Sequence, residues 1–267
     1  MIKKIFRIFA FLKRYIKHPL YIIVYASVYF LKGFAFKVKF YSNNEIINLL
    51  QKGKSVIRLG DGDIVHIQLA LDNTYHRPDQ RLKKMYKTII KNYHEGGSYV
   101  LSIPRFVNYT NLELKNLGER KLEWGLAMKV MFFLSFNKNC PYMDAHNFYY
   151  DNYFEQTIAP LFASKKVIFI TNKKTINKQK GNKNLLWQDA IYIESPEINA
   201  MDAYENIKRN LDKTLNGIGK NDVVIFSAMG PVGKYIVYEY ANKGYQGIDI
   251  GKVAEVMFTG ESIAYLI

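Results

Sequence analysis

Two short apolar runs do most to limit the folds open to this chain. Lys166-Val-Ile-Phe-Ile-Thr171 and Asp222-Val-Val-Ile-Phe-Ser227 have no polar residue in their interiors. A strand with one wet face alternates polar and apolar residues, so these runs read as strands covered on both faces. Ser55-Val-Ile-Arg-Leu-Gly60, Ser98-Tyr-Val-Leu-Ser-Ile103, residues 189–193 and Gly247-Ile-Asp-Ile250 read as further short strands. Amphipathic helical segments separate them. Residues 79–94 place Leu82, Met85, Tyr86, Ile89 and Ile90 on one side, and 120–136, 199–216 and 232–243 also read as helices. Ser42 with Glu45 forms a capping box that opens a helix running to about Gln51. Residues 151–163 are expected to be one helix, and the basic, turn-rich stretch 172–184 a loop. Strands alternating with helices predict an α/β fold with a doubly wound, mostly parallel sheet. In such a sheet, ligands bind beyond the carboxyl ends of the strands.

Charge divides the chain in two. The formal net charge is +15, and residues 1–40 carry nine Lys and Arg with no acid. The remaining residues therefore hold only about +6. Basicity confined to one end argues against a nucleic-acid-binding domain. Ile2, Ile5, Phe6, Ile8, Phe9, Phe11 and Leu12 alternate with Lys3, Lys4, Arg7, Lys13 and Arg14, as in a basic amphipathic helix. The uncharged run Pro19–Leu31 spans 13 residues, short of the ~20 needed to cross a bilayer. Its Tyr21, Tyr25 and Tyr29 share one helical face, which suits a headgroup zone. Residues 1–41 are therefore expected to form a membrane-surface segment, with a signal peptide as the main rival and packing on the domain itself or on a second subunit as the further alternative. Residues 42–267 are expected to form the catalytic domain. The expected location is the cytoplasm, peripheral on the inner face of the cell membrane. The single cysteine, Cys140, rules out an internal disulfide and a Cys-based metal centre.

Four segments carry candidate chemistry. Arg58-Leu59-Gly60-Asp61-Gly62-Asp63 lies at the end of the first strand. Carboxylates at i and i+2 can converge on one hard cation, Mn²⁺ or Mg²⁺, that neutralises a leaving diphosphate. Gly60 and Gly62 permit close ligand approach, and Arg58 can pair with phosphate. Alone, Asp-Gly-Asp marks a turn more often than a metal site. Its position at a strand end strengthens the functional reading. In Phe226-Ser-Ala-Met-Gly-Pro-Val-Gly-Lys234, a strand turns through Gly230 and Pro231 into a helix whose free N–H groups can meet phosphate. The segment matches neither a Walker loop nor a dinucleotide fingerprint. Asn199 reads as a helix cap, and Asp202 and Tyr204 can face a cleft. Asp249, with Glu255 nearby, is a candidate base for an acceptor hydroxyl. The histidines show no metal-ligand spacing, although His66 lies one helical turn after Asp63.

These residues resemble a known family. Arg58–Asp63 is similar to the R-[FIY]-G-D-G-E motif of bacterial GT-D-type glycosyltransferases. Ser227–Lys234, followed by Lys243-Gly-Tyr-Gln-Gly-Ile-Asp-Ile-Gly251, resembles that family's "lGPTA…kGYQAIDIGH" ending. Ser195-Pro196 with Asn199-Ala200, and Ser102-Ile-Pro-Arg-Phe106, resemble two further family segments. The similarity covers roughly residues 42–251. It implies a Rossmann-like GT-D fold, a nucleotide-diphosphate sugar donor, typically UDP-hexose, and a divalent metal. By position, Asp61 and Asp63 inherit the metal and donor role, with Arg58, Gly60, Gly62, Asn199, Asp202, Gly230 and Pro231 around the donor. The chain departs from the pattern in several places. Asp63 replaces Glu, Val232 replaces the GPTA threonine, Lys252 replaces His, and the acidic tail becomes Val253-Ala-Glu-Val256.

The expected function is hexose transfer from a UDP-sugar to a hydroxyl of a glycan, lipid-linked glycan or glycoprotein in surface polysaccharide assembly. The alternatives are a metal-dependent phosphotransferase or phosphohydrolase, and a noncatalytic membrane-associated scaffold.

Overall fold

The computed structural model describes residues 19–60, 63, 76, 77, 79–150, 152–259 and 261. The amphipathic helix expected within residues 1–18 lies outside them. Among the described residues, seven parallel strands form one sheet: β1 Ser55–Arg58, β2 Tyr99–Ile103, β3 Met143–Asp144, β4 Lys166–Thr171, β5 Ile191–Glu194, β6 Val223–Ala228 and β7 Gln246–Asp249. Their spatial order is β3-β2-β1-β7-β6-β4-β5. The chain moves outward from β1 to β3, then builds the other half and returns to place β7 beside β1. The doubly wound parallel sheet expected from the alternation is thus present, with its switch point between β1 and β7.

Both faces of the sheet are covered, as the apolar runs require. Side chains of successive strand residues point to opposite faces. Ile57, Leu101, Ile168, Ile170 and Ile225 join one core cluster, while Val56, Val100, Phe169, Val224, Phe226 and Ile248 join the other. The first cluster is closed by α3 Gln80–Lys91, α5 Glu119–Ser135, α7 Tyr204–Leu215 and α8 Pro231–Asn242. The second is closed by α2 Asn43–Gln51, the short α9 Val253–Val256, and Phe154, Ile158, Phe162 and Trp187. The capping box at Ser42 forms: Ser42 N–H donates to Glu45 at 2.7 Å, and Glu45 N–H donates to Ser42 Oγ.

The structure corrects two local expectations. The stretch 172–184 contains a helix, α6 Lys173–Lys180. Asn172 caps it by accepting from Thr175 N–H at 2.9 Å, and a narrow stripe of Thr175, Ile176 and Gln179 is buried. That stripe is too polar to register as a hydrophobic period, yet Gln179 anchors it by donating to Ala254 O at 2.6 Å. Residues 151–163 do not form one α-helix. A π-helical turn, Phe154–Ile158, passes into a 3₁₀ turn, Ala159–Phe162. Pro160, which has no N–H to give, sits at the start of that second turn.

The first described helix, α1, is Pro19–Phe30. Tyr25 and Val28 are buried against the domain, so Tyr25 faces the protein rather than a headgroup layer. The end of α1 is tied down by Asn111, at the start of α4 Asn111–Asn116. Its amide donates to Val28 O at 2.6 Å and to Leu31 O at 3.0 Å. Lys129 of α5, fully buried, donates to Asn111 Oδ1 and to Phe34 O, both at 2.7 Å. Among the described residues, no helix is long and apolar enough to cross a membrane.

Candidate functional site

β1, β7 and β6 end side by side, with Val56 paired to Ile248 and Ser227 to Asp249. This is the switch point, where an open α/β sheet leaves a crevice. Arg58 is the last residue of β1, and Asp249 the last of β7. Beyond β6 the chain turns at Gly230, whose φ of 63° and ψ of −143° suit glycine. Pro231 then occupies the first turn of α8, where its missing N–H is harmless. Lys234 follows one turn along and folds back over the junction, with Nζ 3.4 Å from Gly230 O.

Four charged side chains meet here. Lys234 is 6% exposed, and its ammonium lies 3.3 Å from both Asp63 Oδ2 and Asp249 Oδ2. Burying a lone ammonium is costly, and these two carboxylates offset the cost. Burial works against the Lys234 charge, but Asp249 and Asp63 outweigh it and raise its pKa above the usual lysine value. Asp63 is held from three directions. Gly60 N–H donates to Oδ2 at 3.0 Å, Tyr86 O–H from α3 donates to Oδ1 at 3.0 Å, and Lys234 adds its charge. Burial and the adjoining Asp63 carboxylate together push the Tyr86 phenol well above its ordinary pKa, so it stays a donor. Asp249 Oδ1 accepts from Gly251 N–H at 3.2 Å. Its Oδ2 is buried and faces the Lys234 ammonium at 3.3 Å.

Arg58 forms the floor of the cluster. Its Nε donates to Ala145 O at 2.9 Å and its Nη2 to Tyr149 Oη at 2.6 Å. The guanidinium carbon sits 4.4 Å from the centre of the Tyr149 ring. Burial opposes its charge, but Tyr149, Asp249 and Asp63 more than compensate and raise its pKa. Gly251 makes room for it: its φ is +50°, and a Cβ there would lie 2.6 Å from Arg58 Nη1.

Of the residues picked from sequence, Arg58, Gly60, Asp63, Asp249, Gly230 and Pro231 assemble around this point. Asp61, Gly62 and His66 lie outside the described residues. Asn199 and Asp202 meet Arg77 instead. Asn199 adopts φ 53°, and its side chain does not cap the following helix. Its Oδ1 accepts from Arg77 N–H at 2.9 Å. Asp202 receives Arg77 Nη2 at 3.0 Å on both oxygens, in an exposed pair that borders a cleft of about 350 Å³ with Arg81, Tyr204 and Tyr235. Glu255 is exposed on α9. Sequence reasoning did not single out Lys234, Tyr86 or Tyr149 as site residues. Lys234 was visible as the only charge in the Gly-rich turn into α8, whereas Tyr86 lay within an ordinary amphipathic stripe.

Among the described residues, no three His, Cys, Asp or Glu side chains converge as a metal site. Even so, Asp63 and Asp249 face a common cation, and the partner of the buried Asp249 Oδ2 among the described residues is the Lys234 ammonium. Such a donor set fits a hard divalent cation, which takes one or two carboxylates alongside phosphate oxygens.

The comparisons with known proteins converge. A family model described as "Glycosyltransferase GT-D fold" matches residues 56–256. A structure of the domain of unknown function 1792, with selenomethionine in place of methionine, superposes with a TM-score of 0.70 at 17% identity, covering 90% of this chain and 85% of that one. A protein described as a new glycosyltransferase of the same domain type, from Streptococcus sanguinis, gives 0.64 at 20% identity over 85% and 87%. A third structure, described as having a distinct glycosyltransferase fold, gives 0.69 at 18% identity over 88% and 85%. No curated protein matches significantly.

Proposed function

The chain belongs to the GT-D glycosyltransferase family, and on that premise we propose that it transfers a hexose from a nucleotide-diphosphate sugar, with UDP as the nucleotide, to a hydroxyl of a glycan, lipid-linked glycan or glycoprotein. The observation that carries this reading is the meeting of buried Arg58, Lys234 and Asp249 with half-buried Asp63 at the switch point. A bound Mn²⁺ or Mg²⁺ would neutralise the charge on the leaving diphosphate. Asp61 and Asp63 are its proposed ligands, with Asp249 facing the same position. Arg58, pinned against Ala145 O and Tyr149, supplies fixed positive charge beneath the phosphates. Lys234 supplies a second, on a longer and more flexible stem. Tyr86 and the Gly60 N–H hold the Asp63 carboxylate in one orientation. The N-terminal turn of α8 faces the crevice from the β6 side. Asp249 was the candidate base, but its burial and its pairing with Lys234 suit it better to holding a cation than to deprotonating an acceptor.

A panel of nucleotide-sugars with Mn²⁺, read by thermal shift and by released nucleotide, tests the donor. Asp61→Ala and Asp63→Ala should each abolish metal-dependent UDP binding and sugar turnover. Unchanged turnover in both would end this reading, and release of inorganic phosphate without UDP would favour phosphohydrolysis instead.

Peripheral attachment to the inner face of the membrane, in surface polysaccharide assembly, is the second part of the proposal. Ile23, Phe30, Leu31 and Leu112 are large and more than half exposed. Phe30, Leu31 and Leu112 share one corner, because Asn111 bonds the Leu31 carbonyl. Exposed Lys32, Lys37 and Lys39 follow directly. Flotation with anionic vesicles should be lost on removing residues 1–40 and weakened by Phe30→Glu with Leu31→Glu. Flotation undiminished by the truncation would rule the attachment out.

A further inference from the structure

The ammonium of Lys234 stands where a divalent cation bridging Asp63 and Asp249 would stand. The four described charges also balance: Arg58 and Lys234 against Asp63 and Asp249. A divalent cation entering this neutral group would meet two resident cations and two carboxylates already engaged. A diphosphate changes that balance, because it brings the negative charge that two cations can share.

The two resident cations differ in their freedom to respond. Arg58 is fixed by two hydrogen bonds and by its contact with Tyr149. Among the described residues, Lys234 has, apart from its ion pairs, one long contact of 3.4 Å, to a carbonyl of its own turn. Its stem has four rotatable methylenes and carries a point charge that needs no fixed plane. Lys234 is thus the group able to leave the carboxylates and follow an incoming phosphate.

We propose that Lys234 is a positioning residue that makes divalent-cation binding depend on the diphosphate. In the free protein its ammonium occupies Asp63 and Asp249. When a nucleotide diphosphate binds, the ammonium transfers to the phosphate oxygens and frees both carboxylates for the cation. The coupling is reciprocal, so the cation also tightens the diphosphate. This inference rests on the donor reading above. It adds an order to the assembly of the site, with the metal held weakly until the donor arrives.

The test is Mn²⁺ binding to the full chain by calorimetry, with and without UDP, corrected for Mn²⁺–UDP association in solution. In the unaltered protein, UDP should tighten Mn²⁺ by about tenfold or more. Lys234→Met should tighten Mn²⁺ by about tenfold without UDP, and should reduce the further gain from UDP. Lys234→Arg, which keeps the charge, should bind Mn²⁺ alone as weakly as the unaltered protein. Adding Asp63→Asn to Lys234→Met should remove the gain, which places the ion at this cluster. Equal or weaker Mn²⁺ affinity in Lys234→Met would overturn the proposal. So would equal Mn²⁺ affinity with and without UDP in a protein that binds both, a measurement that stands even if the Met variant does not fold. If the unaltered protein binds no nucleotide at all, the donor reading fails, while Mn²⁺ alone on the unaltered protein and Lys234→Met still decides the role of Lys234.

Discussion

Replacing Gly233 with Ala tests how tightly α8, and with it Lys234, is seated on the end of β6. A Cβ at this position would lie 2.2 Å from Ser227 Oγ, 2.7 Å from Met229 Cγ and 3.4 Å from Ser227 Cβ. The two nearest contacts fall well inside van der Waals distance. The clashing atoms, Met229 Cγ and Ser227 Oγ, each sit one bond beyond Cβ in a buried side chain, and the Ser227 backbone belongs to a strand paired on both sides, with β4 and β7. Relief requires new rotamers at both packed side chains or a shift of the helix. Overpacking of this kind costs about 2 kcal/mol, or roughly 4–8 °C in Tm for a domain of this size. Ser227 Oγ is buried and has no hydrogen-bond partner, so Ser227→Ala alone should be nearly neutral. In the double variant the closest contact disappears and only the flexible Met229 remains to yield. Stability should then recover by about 1 kcal/mol or more, a clear departure from additivity. Urea unfolding followed by circular dichroism measures all three variants. Turnover should follow the same order, because displacing residue 233 displaces Lys234. The family pattern has Ala at this position, so the family's own residue is expected to be unfavourable in this chain. The reasoning fails if Gly233→Ala lies within ~0.5 kcal/mol of the unaltered protein, or if the double variant is no more stable than Gly233→Ala.

Three further outcomes follow from described contacts. Tyr86→Phe removes one of the donors holding Asp63 and should cost about 1 kcal/mol in urea unfolding. It should also lower turnover, while Tyr99→Phe, remote from the cluster, should not. Burial pushes the Lys129 ammonium down to about 8, against 10.5 in the unfolded chain. Between these values the unfolded chain binds more protons, so this group makes stability rise with pH from about 8. Lys129→Met should flatten that rise when melts are compared between pH 7 and 9.5. The upper limit avoids the range in which ionisation of tyrosines in the unfolded chain lowers stability, since burial raises Tyr93, Tyr99 and Tyr142 in the folded state. Asn111→Ala strips the amide from Val28 O and Leu31 O, and the acceptor from Lys129. It should cost about 2 kcal/mol and speed hydrogen exchange across residues 23–31, and unchanged exchange there would refute the anchoring role.

The layout of the fold was legible because it rests on short-range signals. A run such as Val223–Phe226 can be stable only with both faces covered, and Ser42 with Glu45 declares a helix start without reference to anything distant. The errors came where the signal was weak or local rules competed. The α6 stripe is polar, and Pro160 breaks the helical pattern around it. The candidate site was half legible. Arg58, Asp63, Gly230 and Asp249 sit in motifs at strand ends, where spacing alone suggests chemistry. Lys234 reads as the end of a turn motif, and Tyr86 as a core residue, because their partners lie far away in sequence.

The sequence by itself therefore determined the layers, the strand ends and the acidic candidates, since periodicity, capping and turn chemistry act over a few residues. Only the tertiary structure decided that Asp63 and Asp249 share one ammonium, and that Arg58 is locked beneath them. The reason is physical. A buried charge is tolerable only beside its counter-charge, and which charges become neighbours depends on the order in which parallel strands are laid side by side.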